Sequence, residues 1–280
     1  MSLEAPTRAW IIGGAGFLGS ALGAQCKAEG WRVLVVDPAC AEGEEGVAAP
    51  AGQPGVLEHA ARLLAPQLIF FCAATRGGDA AAYCRAYEEP VRRSRALAPH
   101  ARLVFCSSSA LYAGPGVVTE QSPTPADTER KQALLAAEAA VLRAGGAVAR
   151  LAALYGPGRC ELLRRHLAGE PQLPGEPGRV LNYVHVDDAA RALLLLAGAE
   201  GVFNVCAESF CKEQVYTLLE SLTGVRRSVA IAPAGRRGRA DHCVCAERLR
   251  VRLGWAPQVR FCDFVKDRLS VACPGGEIVI

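Results

Sequence analysis

The run Gly13-Gly14-Ala15-Gly16-Phe17-Leu18-Gly19 constrains this chain more than any other feature, because of what flanks it. The apolar run Ala9-Trp10-Ile11-Ile12 precedes it, and Leu18, Leu22 and Cys26 recur at helical spacing, so the glycines fall where a strand hands over to a helix. Residues 33–36, Val-Leu-Val-Val, then read as a second buried strand ending in Asp37. Gly13, Gly16 and Gly19 form the pattern G-x-x-G-x-x-G. Such glycines permit a tight turn, let the backbone approach a pyrophosphate and let the helix pack close to the sheet. The helix N-terminus adds unpaired N–H groups and a partial positive charge for that pyrophosphate. Asp37 sits where a carboxylate accepts hydrogen bonds from a ribose diol and repels a 2′-phosphate, which favours NAD over NADP.

Strand and helix signals alternate along most of the chain, which predicts an α/β Rossmann architecture: a doubly wound parallel sheet with helices on both faces. Further strands are predicted at residues 47–49, 67–72, 102–106, 147–151 and 202–205. Helices are predicted at residues 56–64, 79–97, 127–144, 161–168, 212–222 and 246–253, with another capped by Asp187-Asp188 and running to about 199. After Tyr155 the texture becomes rich in Pro, Gly and Arg, opening with Gly156-Pro157-Gly158. The predicted division is a dinucleotide-binding domain of residues 1–155 with 179–205, and a small discontinuous C-terminal substrate lobe of residues 156–178 with 206–280.

The 280 residues are 51% hydrophobic, enough for a substantial core and too apolar for wholesale disorder. Net charge is +3 and the arginines are scattered, apart from the cluster at 236–239, so no nucleic-acid partner is expected. The first residues hold no apolar signal core, and the apolar stretch near 193–199 is too short to span a bilayer. A cytoplasmic protein with no membrane partner is the expectation. The twelve cysteines are then expected to be reduced thiols acting as small core hydrophobes. His242, Cys243 and Cys245, with Cys206 and Cys211, match no familiar zinc module, so no metal is expected.

Six motifs occur in a telling order: the glycine loop, Phe71-Cys-Ala-Ala74, Ser107-Ser-Ser-Ala-Leu-Tyr112, Arg150-Leu-Ala-Ala-Leu-Tyr-Gly-Pro-Gly158, Tyr183-Val-His-Val-Asp-Asp-Ala189 and Leu253-Gly-Trp-Ala-Pro257. Together, over nearly the whole chain, they resemble the extended short-chain dehydrogenases, in particular the NAD-dependent epimerase/dehydratase group. The resemblance implies NAD along Gly13, Gly16, Phe17, Leu18 and Gly19, with Asp37 on the adenosine ribose and Ala73, Ala74 and Ser107 lining the cofactor. It also implies a Ser/Thr, Tyr, Lys catalytic set and, often, a homodimer through the two long helices, here about 79–97 and 127–144. Ser108, four residues before Tyr112, takes the Ser/Thr place.

The pattern breaks at the catalytic helix. Aligning Glu138 with the family's glutamate puts Arg130 in the tyrosine place and Leu134 in the lysine place, and no tyrosine lies between Tyr112 and Tyr155. Arginine stays protonated and is no general base. The segment resembles an atypical branch of the superfamily in which a Thr/Ser-Glu-Arg run replaces the tyrosine motif. Tyr112 is the replacement acid/base by proximity to Ser108, or else a wall residue; Tyr155, Tyr183 and His185 are weaker candidates. Arg130, Tyr155, Arg159 and Arg239 are candidate substrate-binding residues, with Arg130 gripping a carboxylate or phosphate through its fork of donors. Two functions remain open from sequence. One is an NAD-dependent oxidoreductase or epimerase acting on a sugar-nucleotide-like or other anionic hydroxyl or carbonyl substrate. The other is a non-catalytic dinucleotide-binding sensor or assembly protein.

Overall fold

A computed structural model describes residues 7–75, 78–172, 178–228 and 241–270. Seven strands form one sheet in the order β10-β7-β5-β4-β1-β2-β3, and every pairing in it is parallel. They are β1 (Arg8–Ile12), β2 (Arg32–Val36), β3 (Gly46–Val47), β4 (Leu68–Phe71), β5 (Arg102–Ser108), β7 (Ala147–Leu151) and β10 (Gly201–Val205). Chain direction away from β1 reverses between β1 and β4, which opens a crevice at the carboxyl ends of the strands. Of these strands, β3 shrinks to two residues because its Gly/Ala/Pro-rich surroundings offer little to bury.

Alternation along each strand divides the core. Ile11, Phe70 and Val104 face α1 (Phe17–Ala28), α7 (Val186–Leu196) and α9 (Glu247–Leu253), which contribute Leu22, Leu193 and Leu249. Trp10, Ile69 and Phe105 face the other way, toward α2 (Val56–Leu63), α4 (Glu89–Leu97) and α5 (Glu129–Arg143) with Leu57, Val91 and Val141. Both faces are therefore covered, as an all-parallel sheet requires. The predicted helix at 79–97 is one run in three pieces: α3 (Ala80–Tyr83), a π-turn (Cys84–Glu88) and α4, started by Asp79, whose carboxylate accepts from the Ala82 amide.

Two small sheets were not legible as such in the sequence. The first has the order β11-β9-β8, with β8 (Ala153–Tyr155), β9 (Val180–His185) and β11 (Glu208–Cys211). Strand β9 thus pairs outside the main sheet, although residues 179–205 read as one stretch of the dinucleotide-binding unit. The second pairs β6 (Gly116–Val118) with β12 (His242–Val244) in parallel. A third apolar core joins Tyr155, Leu163, Val215, Tyr216, Phe261 and Phe264 from β8, α6 (Glu161–Leu167), α8 (Lys212–Thr223) and α10 (Phe261–Ser270). Among the described residues no helix is long and apolar enough to cross a membrane.

Asp187-Asp188 does not cap α7. His185 does, its Nδ1 accepting from the Asp187 amide, while both aspartates lie in the first turn where the helix dipole favours them. Asp188 is fully buried and has a further task. Its carboxylate accepts from the Gln258 and Val259 amides at 2.9 and 3.0 Å, and its carbonyl accepts from the Trp255 indole. One side chain so fastens the C-terminal segment onto α7.

His166, His185 and His242 are all buried, and burial is the main cause that lowers their pKa values. The unfolded chain takes up these protons near pH 6.5, before the folded chain does. Stability is therefore full above about pH 6.5 and lost as pH falls below it. The melting temperature should drop between pH 7.5 and pH 5.5, and less steeply in His166→Gln, as thermal unfolding followed by circular dichroism would read.

Candidate functional site

Gly13 takes φ of +81°, a conformation that favours glycine. A Cβ there would sit 2.4 Å from the Ala73 nitrogen, and one on Gly19 would sit 2.2 Å from the Gly13 carbonyl oxygen. These two glycines let β1, α1 and the end of β4 close on one another. Gly16 differs: a Cβ on it would meet only the Gly13 oxygen, at 3.2 Å, so its open side faces the groove. It is the N-cap of α1 without a side-chain cap, and the first turn carries no acid, which leaves the amides free for an anion.

The groove has a volume of about 800 Å³ and runs from Asp37 past Gly13, Gly16, Phe17 and Leu18 to Ala73, Ala74, Ser107 and Ser108. The Asp37 carboxylate is held in place by the Ala39 amide at 2.8 Å and the Ala15 amide at 3.2 Å. An acid at one end, a cradle that a Cβ would fill in the middle and strand ends beyond suit a dinucleotide in extended form. The far wall comes from residues the sequence did not single out: Pro50, Gly52, Thr75, Arg85 and Tyr87. Gly52 is required there, because a Cβ would lie 2.3 Å from the Arg85 carbonyl of the π-turn.

A second cavity of about 580 Å³ is lined by residues 108–113, by Asp127, Thr128, Arg130, Lys131 and Leu134 of α5 and its cap, and by residues 179–183 with His242. The two cavities share Ser108, Arg130, Leu134, Leu151, Ala152 and Ala153. Arg130 and Leu134 therefore stand on one helix face at the junction, one turn apart. Thr128 starts α5 by accepting from the Lys131 amide, which sets this face. Lys131 turns to Asp127, 3.1 Å away. The Ser108 hydroxyl accepts from the Ala110 amide, capping a short 3₁₀ turn, while its residue borders both cavities.

Several sequence-derived candidates have partners that the sequence did not indicate. The Tyr112 hydroxyl donates to Asn204 Oδ1 at 2.6 Å and accepts from Arg150 at 3.2 Å. Burial raises its pKa, and both bonds of the hydroxyl are made to buried groups. Tyr155 is buried in the third core against Tyr183, His185, Phe261 and Phe264, its hydroxyl donating to the Val259 carbonyl, and it lines neither cavity. Arg159 lies over the Phe17 ring in the larger groove and does not line the second cavity. Arg239 falls outside the described residues. Cys243 and Cys245 are free thiols, and among the described residues no three potential ligands gather for a metal ion. Arg179 and Asn182 were missed as cavity walls, and His242 was weighed only as a zinc ligand.

Beneath the junction lies a buried polar chain. Ser107 donates to Glu138; Glu138 binds Arg150 through two bonds of 2.7 and 3.1 Å; Arg150 donates to Tyr112, and Tyr112 to Asn204. Asn204 in turn donates to the Cys245 carbonyl. Glu138 was legible only as an alignment mark; its partner is twelve residues away and on another element. Removing one member of a buried pair strands the other charge, at about 3–5 kcal/mol. Glu138→Ala should lower the urea-denaturation stability by that amount, whereas Arg164→Ala, in a solvent-exposed pair, should leave it nearly unchanged.

A sequence model of the NAD dependent epimerase/dehydratase family matches residues 9–206. No curated protein sequence matches. Solved structures share the fold. MoeE5 in complex with UDP-glucuronic acid and NAD is 23% identical, with 92% of this chain and 96% of that one covered and a TM-score of 0.79. UDP-glucose 4-epimerase of Thermotoga maritima with UDP-glucose is 22% identical, covering 93% and 96%, at 0.78. WbmG of Bordetella bronchiseptica with NAD and UDP is 22% identical, covering 96% and 95%, at 0.80.

Proposed function

Since the chain belongs to the NAD dependent epimerase/dehydratase family, we propose that it binds NAD in the larger groove and transforms a sugar-nucleotide-like or other anionic hydroxyl or carbonyl substrate held in the second cavity. The observation that carries this reading is the junction: the groove and the cavity share Ser108, Arg130 and Leu134 at the strand ends. When bound, NAD supplies a hydride acceptor or donor. The residues of this chain orient it. The α1 amides and Gly16 receive the pyrophosphate, Asp37 the adenosine ribose, and Ala73, Ala74 and Ser107 border the nicotinamide end. Ser108 hydrogen-bonds the reacting oxygen. Arg130 binds an anionic group of the substrate with its fork of donors, on the turn of α5 that borders both spaces. Several relatives of this fold were solved with UDP-sugars or UDP, which suits this cationic wall. The same reading includes a homodimer through the helices at about 79–97 and 127–144, where Leu97 and Leu142 stay exposed.

A non-catalytic, dinucleotide-binding role is the second reading. It is favoured by Leu134 in the lysine place and by the commitment of the Tyr112 hydroxyl to Asn204 and Arg150. Turnover separates the two: reoxidation of bound NADH by a keto-sugar nucleotide supports the enzyme, and its absence across UDP- and dTDP-linked substrates supports the sensor.

Calorimetry tests the groove. Gly16→Val should abolish NAD binding, because its side chain projects into the cradle. Asp37→Ala should erase the preference for NAD over NADP, at a loss of roughly ten- to a hundredfold in NAD affinity. Unchanged NAD affinity in both variants would remove the glycine loop from the site.

Arg130→Ala should weaken UDP-glucose binding roughly ten- to a hundredfold and leave NAD affinity unchanged, since a charge-assisted contact contributes on the order of 1.5–3 kcal/mol. Equal losses for both ligands would point to a collapsed junction instead of a lost contact.

A further inference from the structure

Two cysteines lie in the floor of the larger groove. Cys106 is in β5, and Cys72 follows the last residue of β4; the register Phe71↔Phe105 makes them direct neighbours across the parallel pair. Their sulfurs are 3.6 Å apart. Both residues are half-buried and both line the groove that Gly13 and Gly16 also line. Cys72 is tied to the glycine loop itself: its amide donates to the Ile12 carbonyl, and its own carbonyl carbon is one of the atoms that exclude a Cβ on Gly13. Adjacent strands run about 4.7–4.9 Å apart, inside the Cα separation of about 4.4–6.8 Å that a disulfide needs. The backbone spacing and the sulfur separation thus both fall in the range from which a disulfide can close.

We propose that Cys72 and Cys106 form a reversible oxidation site: a dithiol that hydrogen peroxide closes to a disulfide in the floor of the larger groove, and that a dinucleotide in the groove shields. The gating half rests on the reading of the groove as the NAD site. Either sulfur of the pair can make the first attack, since each is within reach of the other. The attacking thiolate sulfur bonds to one peroxide oxygen, the O–O bond breaks, and the departing hydroxide takes a proton to leave as water. The second sulfur then attacks the sulfenic sulfur of the first; the S–S bond forms, the S–O bond breaks, and the second thiol's proton and the hydroxyl leave as a second water. Two thiols are oxidised by two electrons and one peroxide is reduced to two waters.

Tryptic cleavage suits the test, because residues 63–76 and 103–130 each contain one cysteine. The reduced full chain is treated with hydrogen peroxide, alkylated and digested, with and without NAD, and NAD binding to the reduced chain is measured separately by calorimetry. The expected result is a linked 63–76/103–130 peptide pair that dithiothreitol reverses and that Cys72→Ser or Cys106→Ser eliminates. NAD at about ten times its Kd should slow its formation about tenfold, in proportion to the empty fraction. Recovery of both peptides unlinked, while other cysteines oxidise, overturns the site. Linkage at a rate that bound NAD leaves unchanged overturns the shielding. If calorimetry finds no NAD binding, the cofactor reading falls, and the NAD-free arm still decides the thiol pair.

Discussion

The bidentate pair between Glu138 and Arg150 holds the centre of this molecule together. Neither group could be buried alone; each is neutralised by the other, and the remaining valences are taken by Ser107 and Tyr112. The consequence is geometric. Glu138 is on α5, Arg150 on β7, Ser107 on β5 and Asn204 on β10, so four elements are held in register by directional bonds and not by apolar contact alone. Asn204 then reaches the Cys245 carbonyl, which carries the constraint to the start of α9. The α5 face that borders both cavities is set from below by this chain of bonds and from its N-terminus by the Thr128 cap.

A different constraint shapes the groove: backbone meets backbone with no room for a side chain. Gly13 against Ala73, and Gly19 against Gly13, bring three elements closer than any Cβ would allow. That closeness leaves the α1 amides facing an open space at Gly16 and puts Cys72 and Cys106 in its floor. Gly13 and Gly19 are needed for close packing, whereas Gly16 keeps an open side toward the groove.

The third core is joined to the sheet through Asp188. Its carboxylate gathers the Gln258 and Val259 amides, and the Trp255 indole reaches its carbonyl, so the stretch leading into α10 is seated on α7. Tyr155 completes that seam by donating to the Val259 carbonyl. An aromatic residue that looks exposed to a ligand in the sequence is in fact the middle of five rings.

The alternating strand and helix pattern, the glycine loop and the terminal Asp37 were readable in the sequence because each depends on local spacing: two-residue alternation in strands, 3.6-residue periodicity in helices, and a turn that only glycine fits. The seven-stranded parallel sheet and the position of the groove follow from these local rules. The break in the catalytic helix, Arg130 and Leu134 in place of tyrosine and lysine, was equally local and equally legible. What the tertiary structure decided were pairings between distant residues. Whether Tyr112 faces a ligand or a buried arginine depends on Asn204, ninety-two positions away. Arg159 lies over Phe17 in the groove, and His242 walls the second cavity because β12 pairs with β6. A polar side chain in a low-dielectric interior takes whichever partner the fold brings within reach, and no periodicity along the chain encodes that choice.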